Sequence, residues 1–437
     1  MKTLIDKLNN LNFELYSNDE LIYIHDLFKN INNKSFKISN DTSLKKCLNK
    51  LLLLPIDNVQ YIINKIEFII NNNNIISFNL KNLKNLKNLK NNDLPEYYIL
   101  LPKYNILNDI KIIKSTSFHK PLKKYGFNDI IYLTKNKLKD IQNYNNIINS
   151  FEHVITSKKD SIQYIVSDIT KHYIISRAYY KLLEILNLFY IDFSDNMNIF
   201  NIAEAPGSFI QCIVDYTKNQ SINYTTISIS GDDTIKYHNS IIKNKNVTIL
   251  NYDENNDITN FKVLNRLFNE YKYSMDFITA DGGFIWKNHN YQEQEAYKLI
   301  ISEILICLKL LKLGGSFILK VFELYTEETI NLILLLNSLF TDVYIFKPLM
   351  SRPSNSERYI ICKYLHTHIN IDIDNLNDII ITNVPNNIIE LIKQFNILLT
   401  NNQLVAINKI ISFDKKDINK YLVNQINKSK QWIDKFI

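Results

Sequence analysis

A doubly wound, mostly parallel α/β sheet is the fold class this sequence predicts, and three observations predict it. Short apolar strands recur from residue 198 onward: NIFNIAEA, YTTISIS, VTILN, MDFITAD, SFILKVF, VYIFKP and RYIICKYL. The stretches SFIQCIVDYTK, YQEQEAYKLIISEILICLKLLKL and TEETINLILLLNSLF, each with a helical pattern, separate several of them, and such alternation favours parallel strands with helical crossovers. Six of the seven glycines fall between Gly207 and Gly315, four of them as the pairs Gly282-Gly283 and Gly314-Gly315. In a chain so short of glycine, these read as positions where a turn or a close backbone approach tolerates nothing larger, which places the chemistry in the middle third.

The N-terminal region, residues 1–150, mixes helical and extended patterns with polar tracts and forms an accessory domain of unassigned function. Its NNNN run at 71–74 and the KNLKNLKNLKNN repeat at 81–92 are low-complexity, and LPEYYILLPKYNIL at 94–107 reads as a strand or strand pair with proline at its edges. Residues 157–189 have helical periodicity and precede the first strand of the sheet. The segment NIFNIAEAPGSFIQCIVDY (198–216) is then strand, sharp turn and amphipathic helix, the form of a nucleotide-binding first unit in which a ligand sits against the helix start. VYIFKP and RYIICKYL are joined too closely for a helical crossover and are expected to pair antiparallel. The result is a seven-stranded, mostly parallel sheet with one antiparallel strand. It resembles the Rossmann-like class I methyltransferase fold, not a nicotinamide dehydrogenase, since the first turn lacks GxGxxG. The sheet domain spans 151–368, and 369–437 is a C-terminal helical extension ending in the basic helix INKYLVNQINKSKQWIDKF.

At 437 residues the chain suits two or three domains, and 46% hydrophobic with 12% aromatic residues is the composition of a folded protein. A net charge of +7 permits an anionic partner without requiring one. The abundance of Asn, Ile and Lys reads as AT-rich codon bias, so a lysine cluster is first a solvated face. Four cysteines, Cys47, Cys212, Cys307 and Cys362, include no CxxC and indicate neither a disulfide framework nor a zinc site. No apolar run reaches membrane-spanning length, which leads to the expectation of a soluble intracellular protein with no membrane partner.

Four ionisable residues stand where a core would not choose them. Lys320 lies inside SFILKVF on the strand face of Ile318 and Phe322, where an ammonium is costly unless paired or neutral. Asp281 ends MDFITAD just before Gly282-Gly283, at the carboxyl edge where open α/β sheets place ligands. Glu357 opens ERYIICKYL, and Lys181 lies on SRAYYKLLEIL. Taken singly, Lys320 reads as an edge residue, Asp281 as a helix cap, and the other two as surface charges. Their occurrence together, in order, on the elements of one sheet argues otherwise.

SRAYYKLLEI, EAPGSF, TADGGF, GGSFILKVFE and SERYIICKYL resemble successive motifs of the FtsJ/RrmJ-like ribose 2'-O-methyltransferases, over roughly residues 155–367. The resemblance implies S-adenosyl-L-methionine as methyl donor, no metal requirement, and a catalytic set of Lys181, Asp281, Lys320 and Glu357. EAPGSF and ADGGF are closer to the mRNA cap branch than to bacterial ribosomal RNA enzymes. The implied activity is 2'-O-methylation of the first or second transcribed nucleotide of capped mRNA. The alternatives are ribosomal or transfer RNA as substrate, or a catalytically weak scaffold subunit of a capping complex. Ala205, Pro206, Gly207 and Ser208 would wrap the methionine part of the donor, with Phe209 behind. Asp232 or Asp233 would meet its ribose, Asp257 in DENNDIT its adenine, and Asp281 would also border the donor. Glu254 and Asn256 stand where the DGxGDIT pattern of cap enzymes has glycine, and Ser208 replaces a second glycine. Arg177 would meet an RNA phosphate, a structural ion pair being the alternative. Lys320 is expected to be a base or hydroxyl-orienting group, made less basic by desolvation and by Lys181. Partners are RNA and other capping or transcription proteins. AT-rich coding with cap-branch motifs points to a large DNA virus or a protist, and hence to the cytoplasm, a viral factory or a virion in preference to the nucleus.

Overall fold

The computed structural model describes residues 97–104, 110–113, 118–138, 166, 168–218, 221–283, 286–369, 378–381, 384–413, 416 and 418–437. The chain divides into two compact units, Met1–Asn91 and Asn92–Ile437, and all described residues belong to the second. The Asn run, the KNL repeat and Phe284 of the GGF motif lie outside them.

Ten strands are described: β1 (Tyr97–Leu100), β2 (Ile110–Ile113), β3 (Asn198–Ile202), β4 (Asn223–Ile227), β5 (Val247–Ile249), β6 (Met275–Ala280), β7 (Leu311–Val321), β8 (Phe340–Lys347), β9 (Arg358–Leu365) and β10 (Asp378–Ile381). Eight form one sheet in the order β1-β8-β9-β7-β6-β3-β4-β5, while β2 and β10 pair as a separate antiparallel ribbon. The ladders from β5 through β4, β3 and β6 to β7 are parallel, and β9 inserts antiparallel between β7 and β8. This is the mostly parallel class I methyltransferase arrangement, and the β8–β9 antiparallel pair stands where its short connection placed it. The structure adds an eighth strand. β1, from LPEYYILL, runs antiparallel along β8 and covers the edge that β8 would otherwise leave open.

The described helices are α1 (Ile130–Asn136), α2 (Ala178–Phe189), α3 (Ser208–Thr217), α4 (Asn239–Ile242), α5 (Phe261–Tyr271), α6 (Gln292–Leu310), α7 (Glu327–Leu339), α8 (Asn386–Ile411) and α9 (Ile418–Phe436). Helices α5, α6, α7 and α8 bury their apolar residues against one face of the sheet, and α2, α3 and α9 against the other. Strands covered on both faces need apolar residues at successive positions. Phe317, Leu319 and Val321 of β7 accordingly enter the first core while Ile318 enters the second. Lys320 shares the face of Ile318, as expected, but Phe322 does not. The strand ends at Val321, and Phe322 turns into the other core against Trp286, with ring centroids 4.6 Å apart.

The long helix expected over 157–189 is interrupted. Lys171 has φ +61° and residues 173–176 are not helical, so α2 begins only at Ala178. Tyr190, in the left-handed conformation, ends it. Gly314-Gly315 also departs from expectation: it lies at the amino end of β7, opposite the edge that carries Asp281 and Lys320. A cleft of ≈ 350 Å³ opens there, lined by Phe193, Asp276, Gly314 and Tyr364 among others, and it is remote from the four ionisable residues.

Candidate active site

Strands β6 and β7 run side by side and finish at the same edge, and β9, running the other way, starts there. Asp281 is the first residue after β6, Lys320 is the penultimate residue of β7, and Glu357 immediately precedes β9. Helix α2 lies on this face and brings Lys181. The topology thus gathers residues 176 positions apart in the chain into direct contact: Lys181 Nζ lies 2.7 Å from Glu357 Oε1 and 2.9 Å from Oε2.

Lys320 Nζ donates to the Asp281 main-chain oxygen at 2.7 Å and sits 3.0 Å from Asp281 Oδ1. The same Oδ1 accepts the Tyr359 hydroxyl at 2.8 Å, and Tyr359 is the cross-strand partner of Lys320. Glu357 Oε1 also accepts from Ser351 Oγ at 2.7 Å. Lys347, at the end of β8, donates to the Glu357 main-chain oxygen at 2.9 Å and to Asn355 Oδ1 at 2.6 Å, which pins the loop leading to Glu357. Tyr359, Ser351 and Lys347 escaped sequence reasoning, although Tyr359 lies within the strand motif that marked Glu357, Ser351 in the loop before it and Lys347 in VYIFKP.

The electrostatics differ from expectation at one point. Burial penalises the Lys320 ammonium, but Asp281, Glu357 and Glu303 of α6 outweigh burial and raise its pKa above the ordinary lysine value. Sequence reasoning had Lys320 made less basic by an apolar strand and by Lys181. It could not show that three carboxylates converge on that strand. Burial likewise penalises the Glu357 carboxylate, yet Lys181, Lys320 and Lys347 together hold its pKa well below the usual carboxylate range. Lys347 is itself pushed well down by burial, against the pull of Glu357. Removing one partner of a buried pair leaves an uncompensated charge at a cost of about 3–5 kcal/mol, so the Lys181–Glu357 contact is rigidly specified.

The neighbouring turn follows β3. Gly207 has φ +105°, and a Cβ there would lie 2.5 Å from Ile241 Cγ1, so both conformation and space require glycine. Two N–H groups of the helix start are already taken by the chain itself. Glu204 Oε1 accepts the Phe209 N–H at 2.6 Å and the Ile210 N–H at 3.3 Å, capping α3 from within the chain. Burial drives the Glu204 carboxyl pKa well above its usual value, with Asp281 adding to the effect. Ala205 is held by its N–H donating to Ser228 Oγ at 2.8 Å. Pro206 completes the turn. Ser208 is buried and lies 2.7 Å, oxygen to oxygen, from Ser176 ahead of α2, so its side chain faces the protein. Phe209 is fully buried behind the turn with its ring 6.3 Å from that of Tyr359.

Asp232 and Asp233 are both exposed in the turn after β4. Asp257 is half-buried and its Oδ1 accepts from the Thr259 N–H at 2.9 Å and hydroxyl at 2.8 Å. Glu254, Asn255 and Asn256 have φ values of +61°, +54° and +56°. This left-handed turn explains the glycines of the related pattern and shows that the present residues adopt it at a conformational cost. Exposed Asn255 is the clearest test: Asn255→Val is expected to lower stability by about 1–2 kcal/mol and Asn255→Gly to leave it unchanged or raised, measured by urea unfolding. Arg177, half-buried just before α2, lies close enough for its charge to act on the Tyr359 hydroxyl. It therefore borders the site. Among the described residues no group of three or more His, Cys, Asp or Glu could hold a metal, and no helix is long and apolar enough to cross a membrane.

Comparison with known proteins gives this geometry a relative. Residues 174–365 match the FtsJ-like methyltransferase family. The chain is similar to human cap-specific mRNA (nucleoside-2'-O-)-methyltransferase 1, with 39% identity over 113 residues, 26% of this chain and 13% of the human protein. The Drosophila melanogaster protein of the same name is 44% identical over 89 residues, 20% of this chain and 11% of that one. The alignments thus span only 13% and 11% of those relatives' lengths. A Plasmodium falciparum structure described as a putative ribosomal RNA methyltransferase shares 26% identity over 44% of this chain and 97% of its own, with a TM-score of 0.34. At that score the likeness decides nothing about substrate.

Proposed function

We propose that this chain transfers the methyl group of S-adenosylmethionine to a ribose 2'-hydroxyl of RNA, and that its substrate is the first or second transcribed nucleotide of capped mRNA. The observation that carries the reading is the assembly of Lys181, Asp281, Lys320 and Glu357 at one carboxyl edge of the sheet, Lys181 on Glu357 and Lys320 on Asp281. The preference for capped mRNA is supported by the segment similar to cap-specific enzymes.

This reading assigns the residues beside this edge to the donor. The Ala205–Ser208 turn, tightened at Gly207 by its packing on Ile241, is the methionine-side element of this reading, and Asp232 or Asp233 offers an exposed carboxylate after β4 for ribose hydroxyls. Asp257 is the adenine-side residue of this reading. When bound, S-adenosylmethionine would supply a methyl group on a cationic sulfur. Transfer breaks the S–C bond, forms the C–O bond and releases the 2'-hydroxyl proton. Lys320 orients that hydroxyl and, in its neutral form, takes the proton on Nζ. Asp281 fixes Lys320 through two oxygens, and Tyr359 fixes Asp281. Glu357 holds Lys181 toward the reacting ribose or its phosphate, and Arg177 at the rim meets a phosphate. Alignment of the hydroxyl behind the methyl is worth up to about 7–11 kcal/mol of the barrier.

The test is transfer of labelled methyl to matched RNAs bearing an m7GpppN cap or a 5'-triphosphate. Label on capped RNA alone is expected. Equal labelling would move the enzyme to another RNA, and donor or RNA binding without transfer would make the chain a scaffold.

A further inference from the structure

Helix α6 runs beneath the Gly282-Gly283 turn, and one residue of the largely apolar run IISEILICL is ionisable: Glu303, which is 1% exposed. Its carboxyl is pressed against the turn that follows Asp281. A Cβ on Gly282 would collide with Glu303 Oε1 and lie 2.8 Å from Leu299 Cδ2, so the turn packs directly on the carboxyl beneath it. The Gly282 main chain faces the Glu303 carboxyl, whose Oε1 is buried with no hydrogen-bond partner. An unsatisfied buried carboxyl oxygen costs stability and calls for a compensating role. On the other side of the turn, a Cβ on Gly283 would lie 3.3 Å from Lys320 Nζ. Glu303 and Lys320 thus lie against the two successive glycines of this turn.

We propose that Glu303 is a positioning residue for the transfer reaction, which seats the Gly282-Gly283 turn and governs through its own charge when Lys320 gives up its proton. Ionisable groups meet here from every side: Asp281 after β6, Lys320 on β7, Glu357 before β9 with Lys181 of α2 upon it, Glu204 after β3, and the neutral Tyr359 hydroxyl on β9. Glu303 is distinct among the carboxylates because it sits under the turn, where no substrate need displace it. Burial pushes its pKa up to about 8, with Lys320 opposing that rise and Asp281 adding to it. Below that pH it is largely neutral and Lys320 answers mainly to Asp281 and Glu357. Above it, a further carboxylate appears behind Lys320 and makes the ammonium harder to deprotonate. Glu303 therefore restrains the gain in free amine as pH rises.

The inference rests on Lys320 acting as proposed above, and its test separates the two readings. Glu303→Gln keeps the shape of the side chain beneath the turn but cannot ionise. Because the wild-type carboxyl must ionise while buried, the variant is expected to fold and to be at least as stable above pH 8. Lys320 would be followed by NMR titration of lysines labelled at Cε, with Lys320→Arg identifying its signal. In Glu303→Gln the midpoint is expected to fall by roughly one pH unit, and the acid limb of kcat/KM to fall with it. An unmoved midpoint, a shifted midpoint with an unmoved rate profile, or a variant that fails to fold would each overturn the proposal. Absence of methyl transfer in the wild type, whatever the titration shows, would instead overturn the function on which it rests.

Discussion

Lys320→Ala is expected to lower kcat for methyl transfer by roughly 10²–10⁴-fold, the usual contribution of a positioned general acid or base. The structure predicts where the loss falls. Lys320 is held by Asp281 and not by the Ala205–Ser208 turn, so binding of S-adenosylhomocysteine, measured by calorimetry, should change far less than kcat. Lys320→Arg separates charge from proton transfer. Arginine keeps the cation beside Asp281, but its guanidinium does not release a proton in proteins. It is expected to preserve stability and remain as inactive as the alanine variant. Since Lys320 must lose its proton to act as a base and three carboxylates hold that proton on, wild-type kcat should rise with pH through the alkaline range.

Trp432→Ala is expected to produce the largest change in stability, about 3–5 kcal/mol for a fully buried aromatic side chain, read as a lower urea midpoint. Trp432 is completely buried on α9, edge-on to Tyr180 with centroids 5.7 Å apart. Its indole N–H donates to Glu184 Oε1 at 2.8 Å. The Glu184 carboxyl also accepts the Leu349 N–H at 2.7 Å and the Met350 N–H at 2.9 Å. One side chain of α2, a turn beyond Lys181, thus fastens the terminal helix and the loop that carries Ser351 to Glu357. Loss of Trp432 should therefore also reduce methyl transfer at temperatures where the protein remains folded. The basic helix, whose lysines read equally as a solvated face or a contact surface, has an inner apolar face that supports the site.

Much of the site was legible because its residues contradict their surroundings. A lysine in SFILKVF, and an aspartate closing MDFITAD before two glycines, are physically expensive and need a reason. The structure supplies one by ending β6 and β7 at a common edge. Glu303 offered a comparable signal, the lone carboxylate in IISEILICL, but helices commonly carry glutamate and only the packing of α6 reveals its burial. Glu204 was hidden for a different reason: a residue beside a ligand-binding glycine turn reads as part of that turn, whereas here it caps α3. The added strand β1 was recognisable as a strand but not as a neighbour of β8. Pairing between segments 247 residues apart, as Tyr98 and Phe346 with Ile99 and Ile345 show at 248 and 246, leaves no local trace. The same limit explains Lys320. Its own strand shows an apolar setting, and the carboxylates that decide its proton come from three other elements.

The central claim is that this edge of the sheet delivers a methyl group to a ribose 2'-oxygen. The most direct measurement is mass spectrometry of nucleosides from capped RNA incubated with the protein and isotopically labelled S-adenosylmethionine, beside the Lys320→Arg variant. The account predicts labelled 2'-O-methylnucleoside from the wild type at the first or second transcribed position and none from the variant. Label on a base, or 2'-O-methylation undiminished in the variant, would contradict it.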